Sequence, residues 1–134
     1  MAVSGVRHAA LDIGHDREGR IHQHDAGHHG GIEMIVDLRR DSASYGKWFG
    51  TELSAENGLI MWIPPGFAHG FCVLGYEPTD VVYKVDVSYN PKNEVGIHYA
   101  DSDLNIKWPI SKPIVSARDE GLSSFKEFAK INVF

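Results

Sequence analysis

Apolar and polar residues alternate along several short stretches of this chain, most clearly between Ile32 and Leu38. Every second residue there is apolar, while Glu33 and Asp37 stand at intervening positions. A period of two is typical of a strand with one buried face and one solvated face. Apolar runs predict further strands at residues 45–53, 59–63, 70–74, 79–86 and 96–99. Short strands at this spacing predict an all-β fold, either an antiparallel barrel or a sandwich.

Turns and one helix complete this prediction. Pro64-Pro65-Gly66 is a turn sequence, and Glu56-Asn57-Gly58 predicts a hairpin turn. Near the end of the chain, Ser124 and Glu127 have the spacing of a capping box, which predicts a short C-terminal helix. We expect a single domain over residues 1–134. It comprises an atypical His-rich leader at 1–31, the barrel at 32–119 and the helical segment at 120–134.

Composition narrows the class of protein. The chain has 134 residues and a formal net charge of -5, so we expect no nucleic-acid surface. Cys72 is the single cysteine, which excludes an intramolecular disulfide and fits a reducing cytoplasm. No apolar run has the roughly 20 residues that a membrane span needs, and the first residues lack the apolar core of a signal peptide. We therefore expect a cytoplasmic protein that does not bind membranes.

The stretch from Trp62 to Phe71 is the most informative part of the sequence. An apolar run stops at the Pro-Pro-Gly turn and resumes at Phe71, so His69 lies where the chain re-enters a sheet. A barrel presents a polar side chain to its interior in this way. The stretch resembles a motif of the dTDP-4-dehydrorhamnose 3,5-epimerases. Other segments resemble the same family in the same order: residues 36–42, 46–48, 52–57, 82–84, 89–91, 101–109 and 113–116, with Glu94 and Asp119.

The resemblance implies a cupin-type jelly roll that forms a homodimer and uses no metal or other cofactor. It implies an enzyme that inverts the carbons beside the C4 ketone of a 6-deoxyhexose attached to dTDP. That reaction abstracts a proton alpha to a carbonyl, and it needs a base, stabilisation of the enolate and an acid on the opposite face.

The resemblance also implies roles for individual residues. Tyr83 matches the catalytic tyrosine of the family, and Asp101 matches the aspartate that orients its catalytic histidine. His69 matches a histidine that contacts the substrate, and we count it with the catalytic group. Tyr89 and Glu94 match positions near the sugar nucleotide.

The sequence departs from the family where the base is expected. The Arg-Gly-Leu-His-Tyr-Gln-like segment that carries the catalytic histidine has no counterpart, and the lysine that could stabilise the enolate has none either. Asp-Ser-Asp at 101–103 replaces the common Asp-Pro-Asp. If the base is replaced, we expect His15, His22 or a histidine of a partner chain to lie near Asp101.

Two alternatives stay open. Histidines are metal ligands, and Pro64–His69 also fits a motif of metal-binding cupins, so His22, His24 and His69 could form a metal site. The third possibility is a non-catalytic relative that binds sugar nucleotides.

Overall fold

The computed structural model describes residues 30–74, 79–83, 94–131 and 134. In these residues the chain forms three strands and two short helices: β1 (Gly30–Asp37), β2 (Trp48–Ser54), β3 (Phe67–Leu74), α1 (Ala117–Glu120) and α2 (Phe125–Ile131). The regular structure is therefore mostly strand, as the sequence predicts. No helix within these ranges has both the length and the apolar character needed to cross a membrane.

The three strands form one antiparallel sheet with β1 in the centre. β2 pairs with one edge of β1 and β3 with the other. In this register Val36 lies opposite Trp48 of β2 and Ala68 of β3. Side chains of successive strand residues point to opposite faces. The even-numbered residues of all three strands therefore share one face, and the odd-numbered residues share the other.

The even-numbered face carries the hydrophobic core. Val36 and Ala68 are fully buried there, in one core with residues from 95–108, from α2 and with Phe134. The buried members of this core are Met34, Val36, Leu38, Ala68, Ile97, Leu104, Ile106 and Phe128. Burial of so much apolar surface holds the C-terminal segment against the sheet and fixes which face remains for polar side chains.

The polar positions of β1 are not solvated as the alternating pattern predicted. Glu33 is 8% exposed and Asp37 is 2% exposed. β1 is the central strand, and the odd-numbered face is itself partly covered, so its polar residues are removed from water. Buried carboxylates need hydrogen-bond partners, and both residues have them.

Other predicted strands are absent from the described residues. Residues 59–62 and 79–83 lie in no strand, and residues 94–100 contribute isolated bridges only, at Val95 and between Ile97 and Ser123. Ile60 is 84% exposed. Apolar composition favours a strand, but a strand also needs a pairing partner for its backbone groups. The turn at residues 55–57 is present as predicted, although β2 pairs with β1 and does not form a hairpin across that turn.

Both helices begin with side-chain caps. At α2 the Glu127 carboxylate accepts from the backbone N–H of Ser124 at 3.0 Å, and Ser124 Oγ accepts from the N–H of Glu127 at 3.3 Å. This is the predicted capping box. The backbone N–H and the hydroxyl of Ser124 both donate to the Glu127 carboxylate and hold its pKa below the ordinary value. The sequence prediction missed α1, which begins with a similar pair: Ser116 caps the helix and its hydroxyl donates to Asp119.

Candidate functional site

The odd-numbered face of the sheet brings a histidine and a carboxylate together. β3 starts at Phe67, directly after Gly66, whose φ of +90° lies in the left-handed region that glycine adopts without strain. The alternation of β3 then buries Ala68 and Gly70 towards the core and places His69 on the opposite face. His69 lies across from Ile35 of β1. Glu33 is two residues from Ile35 along β1, so it is a diagonal neighbour of His69 on the same face.

His69 and Glu33 are in direct contact. Nδ1 of His69 lies 2.9 Å from Oε1 of Glu33. The His69 side chain is 20% exposed and that of Glu33 is 10% exposed, so water screens this pair only partly. A charge-assisted hydrogen bond in such surroundings is stronger than a neutral one on the surface. The pair is therefore a fixed feature of the sheet face and not a transient surface contact.

This arrangement suits proton transfer. With its Nδ1–H donated to the carboxylate, a neutral imidazole has Nε2 available to accept a proton, and the carboxylate stabilises the imidazolium that results. The carboxylate also fixes the orientation of the ring. A histidine held by a carboxylate is the type of base that proton abstraction alpha to a carbonyl requires.

Aromatic side chains flank the pair. Phe67 and Phe71 lie two residues before and after His69 on the same strand, and Phe49 of β2 lies in the same row across Ile35. Phe67 and Phe71 are partly buried, whereas Phe49 is exposed. Apolar neighbours lower the local dielectric and so strengthen the field that the pair exerts on a bound molecule.

One end of the same face is closed by Asp37. Its carboxylate accepts from the backbone N–H, Nε and Nη2 of Arg39, at 2.9, 3.0 and 2.8 Å. The hydroxyls of Ser42 and Ser44 donate to it at 2.6 Å each. Arg39, then these hydroxyls, hold the pKa of Asp37 well below its ordinary value, against the opposing effect of burial. Asp37 therefore stays ionised and is not a candidate general acid.

Asp101 is buried, and its two oxygens bind backbone groups. Oδ1 accepts from the N–H groups of Asp103 at 2.9 Å and Leu104 at 3.0 Å, and Oδ2 accepts from the N–H of Phe125 at 2.9 Å. It thus joins the 101–104 turn to the first residue of α2. Within residues 30–74, 79–83 and 94–131, no histidine side chain forms a hydrogen bond with its carboxylate. His15 and His22, of which one was expected near it if the base is replaced, are outside the described residues.

The remaining predicted residues lie apart from this pair or outside the described residues. Tyr83 is 62% exposed in a segment without regular structure. Glu94 accepts from Nη2 of Arg118 at 2.9 Å in a partly exposed ion pair. Tyr89, His22 and His24 are outside the described residues. In the part of the chain that the structure describes, no three His, Cys, Asp or Glu side chains are grouped so that they could hold a metal ion.

Glu33 is the residue that sequence reasoning missed. Its place in the alternating pattern suggested a solvated strand position, and its contact with His69 joins residues 36 positions apart. The available signal was a charged residue in a strand that is otherwise strongly apolar, together with a second strand that carries a histidine. Only the register between β1 and β3 puts the two side chains on one face.

Comparisons with known proteins place the chain in one family by sequence. A sequence model of the dTDP-4-dehydrorhamnose 3,5-epimerase family matches residues 27–127. The dTDP-4-dehydrorhamnose 3,5-epimerase of Shigella flexneri is 47% identical over 88 residues, which cover 66% of this chain and 48% of that protein. The chain spans about half the length of the curated relatives that it matches.

Solved structures of epimerases also resemble this chain. The dTDP-4-dehydrorhamnose 3,5-epimerase of Bacillus anthracis, solved with TDP and pyrophosphate bound, is 37% identical with a TM-score of 0.68 over 84% of this chain and 64% of that one. The dTDP-6-deoxy-D-glucose-3,5-epimerase of Legionella pneumophila was solved in complex with dTDP-4-keto-L-rhamnose. It is 31% identical, with a TM-score of 0.61 over 80% of this chain and 66% of that one.

Proposed function

This chain belongs to the dTDP-4-dehydrorhamnose 3,5-epimerase family, and on that premise we propose that it epimerises a dTDP-linked 4-keto-6-deoxyhexose. The observation that carries the proposal is the 2.9 Å contact between His69 Nδ1 and Glu33 Oε1, on a sheet face that also bears aromatic side chains. The family match supports this substrate class, and the bound ligands of the related structures support a sugar nucleotide.

In the proposed reaction His69 is the base. Nε2 takes the proton from the carbon beside the C4 ketone, and the negative charge of the enolate moves onto the ketone oxygen. Glu33 accepts the Nδ1–H throughout and stabilises the imidazolium. Return of a proton to the opposite face of the carbon inverts its configuration. His69 thereby takes over the role of the missing histidine in the Arg-Gly-Leu-His-Tyr-Gln-like segment.

The other predicted residues complete the proposal. Tyr83 is the proposed acid that returns the proton, and this role requires its segment to approach the His69 face when substrate is bound. Tyr89 and Glu94 are proposed to contact the sugar nucleotide. We propose that Asp101 has a structural role and does not orient the base, because its carboxylate accepts hydrogen bonds from the backbone of the 101–104 turn and of α2.

We further propose that the sheet is part of a jelly-roll barrel that is completed in a homodimer. β2 lies at the edge of the described sheet, and edge strands pair readily with further strands. After β2 along the chain, Leu59, Ile60 and Trp62 are exposed apolar residues in a segment without regular structure. Such a cluster is a typical contact surface in oligomers. Light scattering at micromolar concentration tests this proposal, and a monomer would contradict it.

Deuterium exchange tests the reaction directly. The protein is incubated in D2O with dTDP-4-keto-L-rhamnose, and incorporation at C3 and C5 is followed by NMR. We expect exchange with the wild type and a fall of at least about a hundredfold in His69→Asn, the usual magnitude for loss of a general base. Glu33→Gln should give a smaller loss. Tyr83→Phe should slow inversion more than it slows exchange.

His98→Asn is the matched control. His98 is a partly buried histidine whose Nδ1 accepts from the backbone N–H of Ala100 at 3.2 Å, and it has no carboxylate partner among the described residues. Exchange should stay at the wild-type rate in this variant. If the wild type binds dTDP but catalyses no exchange, the chain is a non-catalytic sugar-nucleotide binder. Metal analysis of the same sample tests the alternative site at His22, His24 and His69.

A further inference from the structure

Arg39 lies over the start of β3, two residues before His69. Its guanidinium carbon is 4.6 Å from the centre of the Phe67 ring, which is the geometry of a cation–π contact. Its aliphatic stem lies against the preceding turn, since a Cβ added to Gly66 would stand 2.6 Å from Arg39 Cγ. One side chain therefore covers both residues through which the chain enters β3.

Arg39 is immobilised although its side chain is 49% exposed. Nε and Nη2 donate to the two oxygens of Asp37 at 3.0 and 2.8 Å, which is the bidentate geometry that only a guanidinium provides. Asp37 is itself buried at the end of the central strand β1 and lies opposite Phe67 in the β1–β3 register. The same carboxylate raises the pKa of Arg39, so the guanidinium is charged in this contact.

The backbone links the same two strands at this point. The N–H of Leu38 donates to the carbonyl of Gly66 at 2.8 Å. Asp37, Arg39 and Phe67 thus form a side-chain clamp directly above the last backbone contact between β1 and β3. The His69–Glu33 hydrogen bond is diagonal across these strands, so its length depends on how β3 is seated against β1.

We propose that Arg39 is a positioning residue for His69. By holding Phe67 against Asp37 it fixes the start of β3, and this keeps the imidazole within hydrogen-bonding distance of Glu33. The inference rests on the proposed function only in making His69 the base; the positioning itself is a property of the unliganded protein. Arg39 acts through Phe67 and need not touch the substrate.

The test is the protonation state and hydrogen bonding of His69, measured by ¹H–¹⁵N NMR without substrate. In the wild type we expect a single tautomer with a protected Nδ1–H. In Arg39→Gln and Phe67→Leu we expect that proton to exchange about twofold to fivefold faster, the order set by losing a cation–π contact at a partly exposed site. A mixture of tautomers should accompany the faster exchange.

The Arg39→Lys variant distinguishes a positioning role of Arg39 from a role of its positive charge alone. Lysine keeps the positive charge but has neither the planar fork nor the flat face that stacks on Phe67. The clamp predicts that this variant behaves like Arg39→Gln, whereas a purely electrostatic role predicts wild-type behaviour. Arg40→Gln is the matched control, because it removes the charge of the adjacent arginine, which donates to the carbonyl of Ala129 at the end of α2. It should leave the His69 signals unchanged.

General destabilisation is distinguished by urea unfolding of every variant. Ser124→Ala weakens the cap of α2, away from β3, and should change the unfolding midpoint but not the His69 signals.

If Arg39→Gln does not fold, the Phe67→Leu variant is used for the test. Wild-type His69 signals in Arg39→Lys, Arg39→Gln and Phe67→Leu would overturn the proposal. Altered signals in a protein without epimerase activity would support positioning while refuting the proposed function.

Discussion

Asp101 is the residue for which a structural and a catalytic role predict different measurements. Its carboxylate accepts three backbone N–H groups, two in the 101–104 turn and one at the first residue of α2. In Asp101→Asn the amide oxygen can keep the two turn contacts. The amide NH2 then faces the N–H of Phe125, so that donor loses its partner at a partly buried helix end.

The cost follows from these contacts. A hydrogen bond to a charged group contributes about 1.5–3 kcal/mol, and the two retained bonds are weakened because the acceptor becomes neutral. We expect the free energy of unfolding to fall by about 2 kcal/mol in Asp101→Asn, and by about 3 kcal/mol in Asp101→Ala since the losses are not additive. With a urea m-value of about 1.5 kcal/mol per M, the asparagine variant should unfold about 1 M earlier.

Urea unfolding followed by circular dichroism measures this effect, and Asp103→Asn is the matched control. Asp103 lies in the same turn, and its ion pair with Lys126 at 3.1 Å is exposed to solvent. Pairs of this kind contribute about 0–1 kcal/mol, so the control should remain close to the wild type. Equal midpoints for Asp101→Asn and Asp103→Asn would refute the capping argument. If Asp101→Asn kept its stability but lost deuterium exchange, Asp101 would have the orienting role that the family resemblance implied.

Three further predictions concern other parts of the molecule. The pKa of the Asp37 carboxyl is depressed in the folded state. The ionised carboxylate therefore stabilises the fold at pH values above the unfolded pKa of about 3.8, and this stabilisation is lost as pH falls below that value. Urea midpoints measured from pH 6 to pH 3 should fall more steeply in the wild type than in Asp37→Asn. Ser124→Ala removes the capping box of α2 and should cost about 1 kcal/mol in thermal or urea unfolding, whereas no change would show that α2 is held by packing alone. Burial raises the pKa of the Cys72 thiol to about 11, so a thiol reagent at pH 8 should modify it only as fast as the protein opens; rapid modification of the native protein would contradict the burial of Cys72.

Local sequence patterns determined the elements whose stability is local or whose apolar face is strong. The alternation from Ile32 predicted β1, and the spacing of Ser124 and Glu127 predicted α2 and its cap. The ordered motifs predicted the family, which the family model and the relatives confirm. The strand β1 and the capped helix α2 can be predicted from the sequence because a cap joins residues that are close along the chain, and because strand geometry imposes a period of two.

The tertiary structure decided which polar groups meet. Glu33 belongs to the site because β3 pairs with β1 in one register, and a shift by one residue would send His69 to the core face. Asp101 caps α2 because the 101–104 turn packs beside residue 125, although 24 residues separate them in the chain. β1 has a hydrogen-bonded neighbour on each side in the folded sheet, and its carboxylates Glu33 and Asp37 are buried. Contacts of this kind join chain segments that come together only on folding, so composition and periodicity do not predict them.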